Sequence, residues 1–222
     1  MRVVDLTQPL SPATTPWPGD DALAVVELAA VERDGFYARR LDLHEHTGTH
    51  FDAPAHFVAG GATVDEIAAG RLVAAVRIVD VSGQASEDPD YAVTADDIRA
   101  MERKHGELVP GEVLLALTGW DMHLDDPARY VGNLRFPGFG ADAADLAVER
   151  ELVGIGIDTL SVDRGCDEEY PVHHRTLPAG LWHLEGLVGL DLIPAVGAML
   201  VVGVPLVVGA SGFPARVLAL VP

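Results

Sequence analysis

Hydrophobic and polar residues along the chain fall into short blocks. Val76–Val81, Val113–Thr118 and Val153–Asp158 are apolar runs of strand length, the pattern of strands buried on both faces. Val25–Arg33 and Phe36–Glu45 have strand-like composition and flank Asp34-Gly35, a pair that closes tight hairpins. On the second of these runs Leu41 and Leu43 alternate with Arg40, Asp42, His44 and His46, which predicts a strand with its odd positions in the core and a polar opposite face. Thr94-Ala95-Asp96-Asp97 is a capping box opening a helix that ends near His105-Gly106, and Ala141 to Leu152 reads as a second helix with Gly154 beyond it. Strands mixed with isolated helices predict an α/β or α+β domain on a mixed sheet. No repeat or linker divides residues 1–222, so a single domain is expected.

The segment from Leu192 to Ala215 contains no charged residue. It is not read as a membrane span, because Pro194, Pro205 and Pro214 with Gly197, Gly203 and Gly209 break it into valine-rich runs, Met199 to Val204 and Leu206 to Val208, with the length of buried strands. Charge narrows the partners: 34 acidic residues against 15 basic give a net of −19, which excludes nucleic acid and anionic membrane surfaces. The single cysteine, Cys166, cannot form an internal disulfide and is read as a solitary buried thiol. Met-Arg-Val-Val-Asp at the N-terminus lacks the apolar stretch of a signal peptide, so a cytoplasmic location is expected.

The polar face of the second hairpin run leads into the chemistry. From His44 to His56 the chain reads His-Glu-His-Thr-Gly-Thr-His-Phe-Asp-Ala-Pro-Ala-His. In an extended chain His46, His50 and Asp52 project to one side, with Gly48 leaving a gap between them the size of an ion. A helix is disfavoured by Gly48, by the β-branched Thr47 and Thr49, and by Asp52-Ala53-Pro54. Two imidazoles and a carboxylate are zinc ligands that also suit manganese or iron. His44 lies too far along to reach the ion and is read as structural. A second cluster, His173-His174 and then Trp182-His183-Leu184-Glu185, would complete the site if the sheet brings it alongside the first. Serine or cysteine nucleophiles have little support, since there is no Gly-x-Ser-x-Gly elbow and Cys166 has acidic neighbours. No nucleotide-binding glycine motif is present.

The stretch His46 to Phe57, together with Thr118-Gly119-Trp120, Gly156 to Asp163 and the spacing from His173 to Glu185, resembles the metal-dependent cyclase family that includes bacterial kynurenine formamidases and isatin hydrolases. The resemblance covers nearly the whole chain. It implies a swivelling β/β/α fold and one or two divalent ions, zinc ahead of manganese. His46, His50 and Asp52 would hold the first ion, with Asp52 bridging to a second held by His173 and Glu185. It further implies His56 as catalytic acid/base, Trp17 as a substrate contact, and a homodimer or homotetramer. The implied activity is hydrolysis of a small aryl formamide, N-formylkynurenine to kynurenine and formate in tryptophan catabolism, through hydroxide generated at the ion. The alternative is a cyclic amide or lactone such as isatin; a non-catalytic metal-containing binding protein is a third reading. Thr49 stands where the formamidases often carry alanine, and Pro171-Val172-His173 where they carry Asp-Ser-His. These departures spare the metal ligands and bear on the substrate.

Overall fold

The computed structural model describes residues 1–222. The strands are β1 (Arg2–Asp5), β2 (Ala24–Ala29), β3 (Ala38–Asp42), β4 (His50–Asp52), β5 (Val73–Asp80), β6 (Ala92–Val93) and β7 (Val113–Leu117), followed by β8 (Gly138–Phe139), β9 (Gly154–Ile157), β10 (Trp182–Glu185), β11 (Ala198–Gly203), β12 (Gly212–Pro214) and β13 (Arg216–Val221). Six short helices join them: α1 (Val31–Asp34), α2 (Ser82–Glu87), α3 (Ala95–His105), α4 (Pro127–Val131), α5 (Ala141–Glu149) and α6 (His173–Thr176). Nine strands form one sheet in the order β1-β13-β11-β5-β7-β9-β10-β4-β12. Its centre, β5-β7-β9-β10, is parallel and its flanks are antiparallel. The fold is α/β on a mixed sheet, as expected.

The apolar runs become the centre because each has a hydrophobic partner on both faces. Along β7, Val113 and Leu115 enter one core while Leu114 and Ala116 enter the other, the period of two that a pleated strand imposes. The second core is closed by Ile98 and Met101 of α3 and by Ala143, Ala144 and Ala147 of α5. Thr94 caps α3, its hydroxyl accepting from Asp97 N at 3.2 Å while the Asp97 carboxylate accepts from Thr94 N at 2.8 Å. In β9 a Cβ on Gly154 would lie 2.3 Å from the Trp182 ring, so only glycine admits that indole beside the strand.

Four expectations are corrected. The hairpin exists, but β2 stops at Ala29 and one helical turn, α1, precedes Gly35 at φ 78°. With β3 it forms a separate two-stranded ribbon; no large-sheet strand pairs with it, and Leu41 is 49 % exposed instead of buried. Leu206 to Val208 is not a strand. Between Pro205 and Gly209 it is too short to pair, and Leu206 and Val208 are 76 % and 84 % exposed. Cys166 is exposed, carried out on the turn after Gly165. The helix from Ala141 ends at Glu149, where Glu151 takes a positive φ of 53°. No helix is long and apolar enough to cross a membrane.

Candidate metal centre

Two neighbouring strands carry the same pattern. His50-Phe51-Asp52 on β4 lies antiparallel to His183-Leu184-Glu185 on β10, with His183 opposite Asp52 and Glu185 opposite His50. Because alternate side chains share a face, these four polar groups form a square on one side of the ladder while Phe51 and Leu184 enter the core behind it. His173 reaches the square from α6, His46 from the turn before β4, and His56 from the single turn Pro54–His56 after it.

Outer hydrogen bonds set the proton on each ring. His50 Nδ1 donates to Gly48 O at 2.9 Å, which turns Nε2 inward, 3.3 Å from Asp52 Oδ1 and 3.4 Å from Glu185 Oε2. His173 Nδ1 donates to Asp163 Oδ2 at 2.6 Å, and its Nε2 faces Glu185 Oε1 at 3.5 Å and Asp52 Oδ2 at 3.7 Å. Ser211 Oγ donates to Glu45 at 2.6 Å, so it accepts from His46 Nε2 at 3.0 Å. His46 Nδ1 then meets Asp52 Oδ1 at 2.6 Å, a contact that needs a proton between the atoms or a cation shared by them. Asp52 is fully buried and its Oδ2 has no hydrogen-bond partner. Buried lone pairs converging on an orphaned carboxylate oxygen fit a divalent cation with nitrogen and oxygen ligands.

Charge follows the same geometry. Burial pushes the Asp52 carboxyl up, but His50 and His46 beside it hold it well below the usual range. Burial opposes charge on His50 and His173, yet Asp52 and Glu185 raise His50 well above its ordinary value, and Asp163 with Asp52 brings His173 to about 10. His56, stacked on His46 with ring centroids 3.8 Å apart, is lowered to about 4 by burial, with His46 and His173 adding to the fall. Above the ring opens a cavity of about 260 Å³ walled by Trp17, Phe57 and Tyr170, with His46, His50 and His56 at its floor. No lysine or arginine lines it.

The structure therefore gathers His46, His50, Asp52, His173 and Glu185 into one ring, with His56 beside it and Trp17 on the cavity wall. His174 is exposed and outside the ring; His44 is exposed and lies 3.8 Å from Asp20. Gly48 is not the gap for the ion. It turns the chain at φ 66°, where a Cβ would lie 2.7 Å from Leu10 Cδ2, so strict alternation starts only at His50. His183 was not among the expected ligands, although His183-x-Glu185 repeats His50-x-Asp52 at the same spacing.

Residues 4–164 match the family described as "Putative cyclase". Isatin hydrolase of Roseibium aggregatum is 33 % identical over 243 aligned positions, covering 100 % of this chain and 92 % of that protein. The chain belongs to the cyclase family. A kynurenine formamidase of Salinibacter ruber is 30 % identical, covering 97 % of this chain and 96 % of its own. The crystal structure of an isatin hydrolase bound to the product analogue thioisatinate superposes with a TM-score of 0.93 at 31 % identity, covering 99 % of this chain and 92 % of that one. The chain is thus a hydrolase of this family, and its converging donors form a group that could hold a metal ion.

Proposed function

We propose that the protein hydrolyses an amide of a small, uncharged aromatic substrate, a cyclic amide of the isatin type. The cavity carries this reading: it is small, walled by three aromatic side chains, and offers no cation to a substrate carboxylate. His46, His50, Asp52, His173 and Glu185 would hold one or two divalent ions, zinc or manganese, which supply an activated water and polarise the carbonyl. His56 is neutral at pH 7, with its value near 4. It accepts a proton from the attacking water and returns it to the departing nitrogen. Asp163 holds His173 in the tautomer that presents Nε2 to the ring. Trp17, edge-on to Phe136 at 6.3 Å and tilted against Tyr170 at 6.4 Å, stacks the aryl group.

N-formylkynurenine is the second reading. Asp20 on the cavity lining would accept its ammonium group, while its carboxylate would have to stay in solvent. Rates decide between them. With metal-loaded protein, kcat/KM for isatin should exceed that for N-formylkynurenine by about tenfold or more, the effect of one unpaired charge worth roughly 1.4 kcal/mol. The reverse order would transfer the assignment to the formamide.

A further inference from the structure

His183 is fully buried on β10 and does not line the cavity, so it cannot touch a substrate. Its ring is nonetheless held in one state. Thr176 Oγ1 gives its proton to Val172 O at 2.8 Å and therefore accepts from His183 Nε2 at 2.6 Å. Nδ1 is left as a bare lone pair with no hydrogen-bond partner, aimed at Asp52 Oδ2, which has none either, 3.7 Å away. A core histidine kept for packing would have both nitrogens satisfied, because each buried orphan costs about 1–3 kcal/mol. Here two orphaned acceptors face each other.

We propose that His183 is a metal ligand, closing with Asp52, His173 and Glu185 a buried inner cation site whose His173 and Glu185 also border the cavity while Asp52 and His183 lie behind them. The inference rests on the reading of the Asp52 ring as a metal centre. Ligand atoms of the four residues lie within 4.8 Å of one another. The measured edges are 3.7 Å from Asp52 Oδ2 to His183 Nδ1, 3.7 Å from Asp52 Oδ2 to His173 Nε2, and 3.5 Å from His173 Nε2 to Glu185 Oε1. Two donors bound tetrahedrally to zinc at its usual bond lengths are about 3.4 Å apart. The rings of His173 and His183 stand at 82° with centroids 4.7 Å apart, so both can point a nitrogen inward without stacking. Two carboxylates and two neutral imidazoles balance a divalent charge, and three of the four donors are oriented from outside: His173 by Asp163, His183 by Thr176, and Glu185 by Val162 N at 2.8 Å from its Oε1.

The test is zinc binding to the full chain, read as ions per chain and as the affinity of each step. Wild type should bind two ions. His183→Ala should keep the step served by His46 and His50 and weaken the inner step by more than about 100-fold, beyond what loss of an outer partner costs. Thr176→Val, a near-isosteric change that frees the imidazole to turn, should weaken the inner step by about 10–100-fold. An anomalous difference map of zinc-loaded wild-type crystals needs no variant and should place an ion within bonding distance of His183 Nδ1. Ion binding with both steps unchanged in the variants, or an ion in the map far from His183, overturns the proposal while sparing the ring. Wild type binding no ion would overturn the ring itself.

Discussion

Asp52 and Asp158 are both fully buried, and they are opposites. Asp158 is surrounded by donors: Thr118 Oγ1 reaches Oδ1 at 2.5 Å, Thr118 N lies 3.1 Å from both oxygens, and Gly119 N donates to Oδ2 at 2.7 Å. Asp52 is surrounded by imidazoles whose other ring nitrogens bond outward, and one of its oxygens has no partner. Equal burial thus has two meanings. Donors around a carboxylate complete it as a brace, here tying the end of β7 to β9, whereas acceptors around it leave charge that only protons or a cation can neutralise.

The largest effect should come from exchanging each carboxylate for its amide. Asp52→Asn is expected to abolish ion binding and lower kcat by more than about 1000-fold, roughly 4 kcal/mol of transition-state stabilisation. Asp158→Asn should do the reverse: ion content unchanged, and stability down by about 2–3 kcal/mol because an amide NH2 now faces backbone donors. Metal analysis and urea unfolding of the two variants report both. Loss of metal in Asp158→Asn would erase the distinction.

The two sites were unequally legible. His50-x-Asp52 could be read as one face of a strand because both residues lie in one continuous segment. His183-x-Glu185 has the same period, but its meaning depends on the pairing of β10 with β4, a register set by distant chain segments that local pattern does not contain. His173 was placed by resemblance and His183 was missed, although a search for repeated polar-x-polar pairs would have found it. Leu41 misled for a related reason. Its alternation is genuine, yet alternation reports two faces and not which one meets the core, and the β2–β3 ribbon has no large sheet beneath it. The central strands were legible because continuous apolar runs have few other places to go.

Protons give the next effect. Without an ion, Asp52 and Glu185 hold His50 well above its ordinary value and, with Asp163, bring His173 to about 10, so both rings carry a second proton at pH 7. A cation takes the same lone pairs and must displace those protons. Affinity should therefore rise with pH, by up to about 100-fold per unit where two protons leave together, and level off as His173 loses its proton unaided. Calorimetric titration with zinc in buffers of different ionisation heat counts the protons released, and close to two are expected at pH 7. Release of fewer than one would show rings already neutral, making Asp52 less unlike Asp158 than its geometry indicates.

The smallest effect concerns Asp158 alone. Burial raises it to about 7, the Thr118 hydroxyl lowers it, Asp121 raises it further, and the backbone donors of Thr118 and Gly119 lower it. An aspartate in the unfolded chain titrates near 4. Between about pH 4 and 7 the native state therefore holds a proton that the unfolded state has released, and stability must fall as pH rises through that window, by at most about 1.4 kcal/mol per unit, before flattening above 7. Asp158→Asn removes this proton, so the stability difference between wild type and variant should shrink steadily from pH 5 to pH 7 in urea titrations. A difference independent of pH would mean that the donors keep Asp158 ionised throughout. In that case hydrogen bonds alone would neutralise a fully buried carboxylate as completely as a cation would at Asp52.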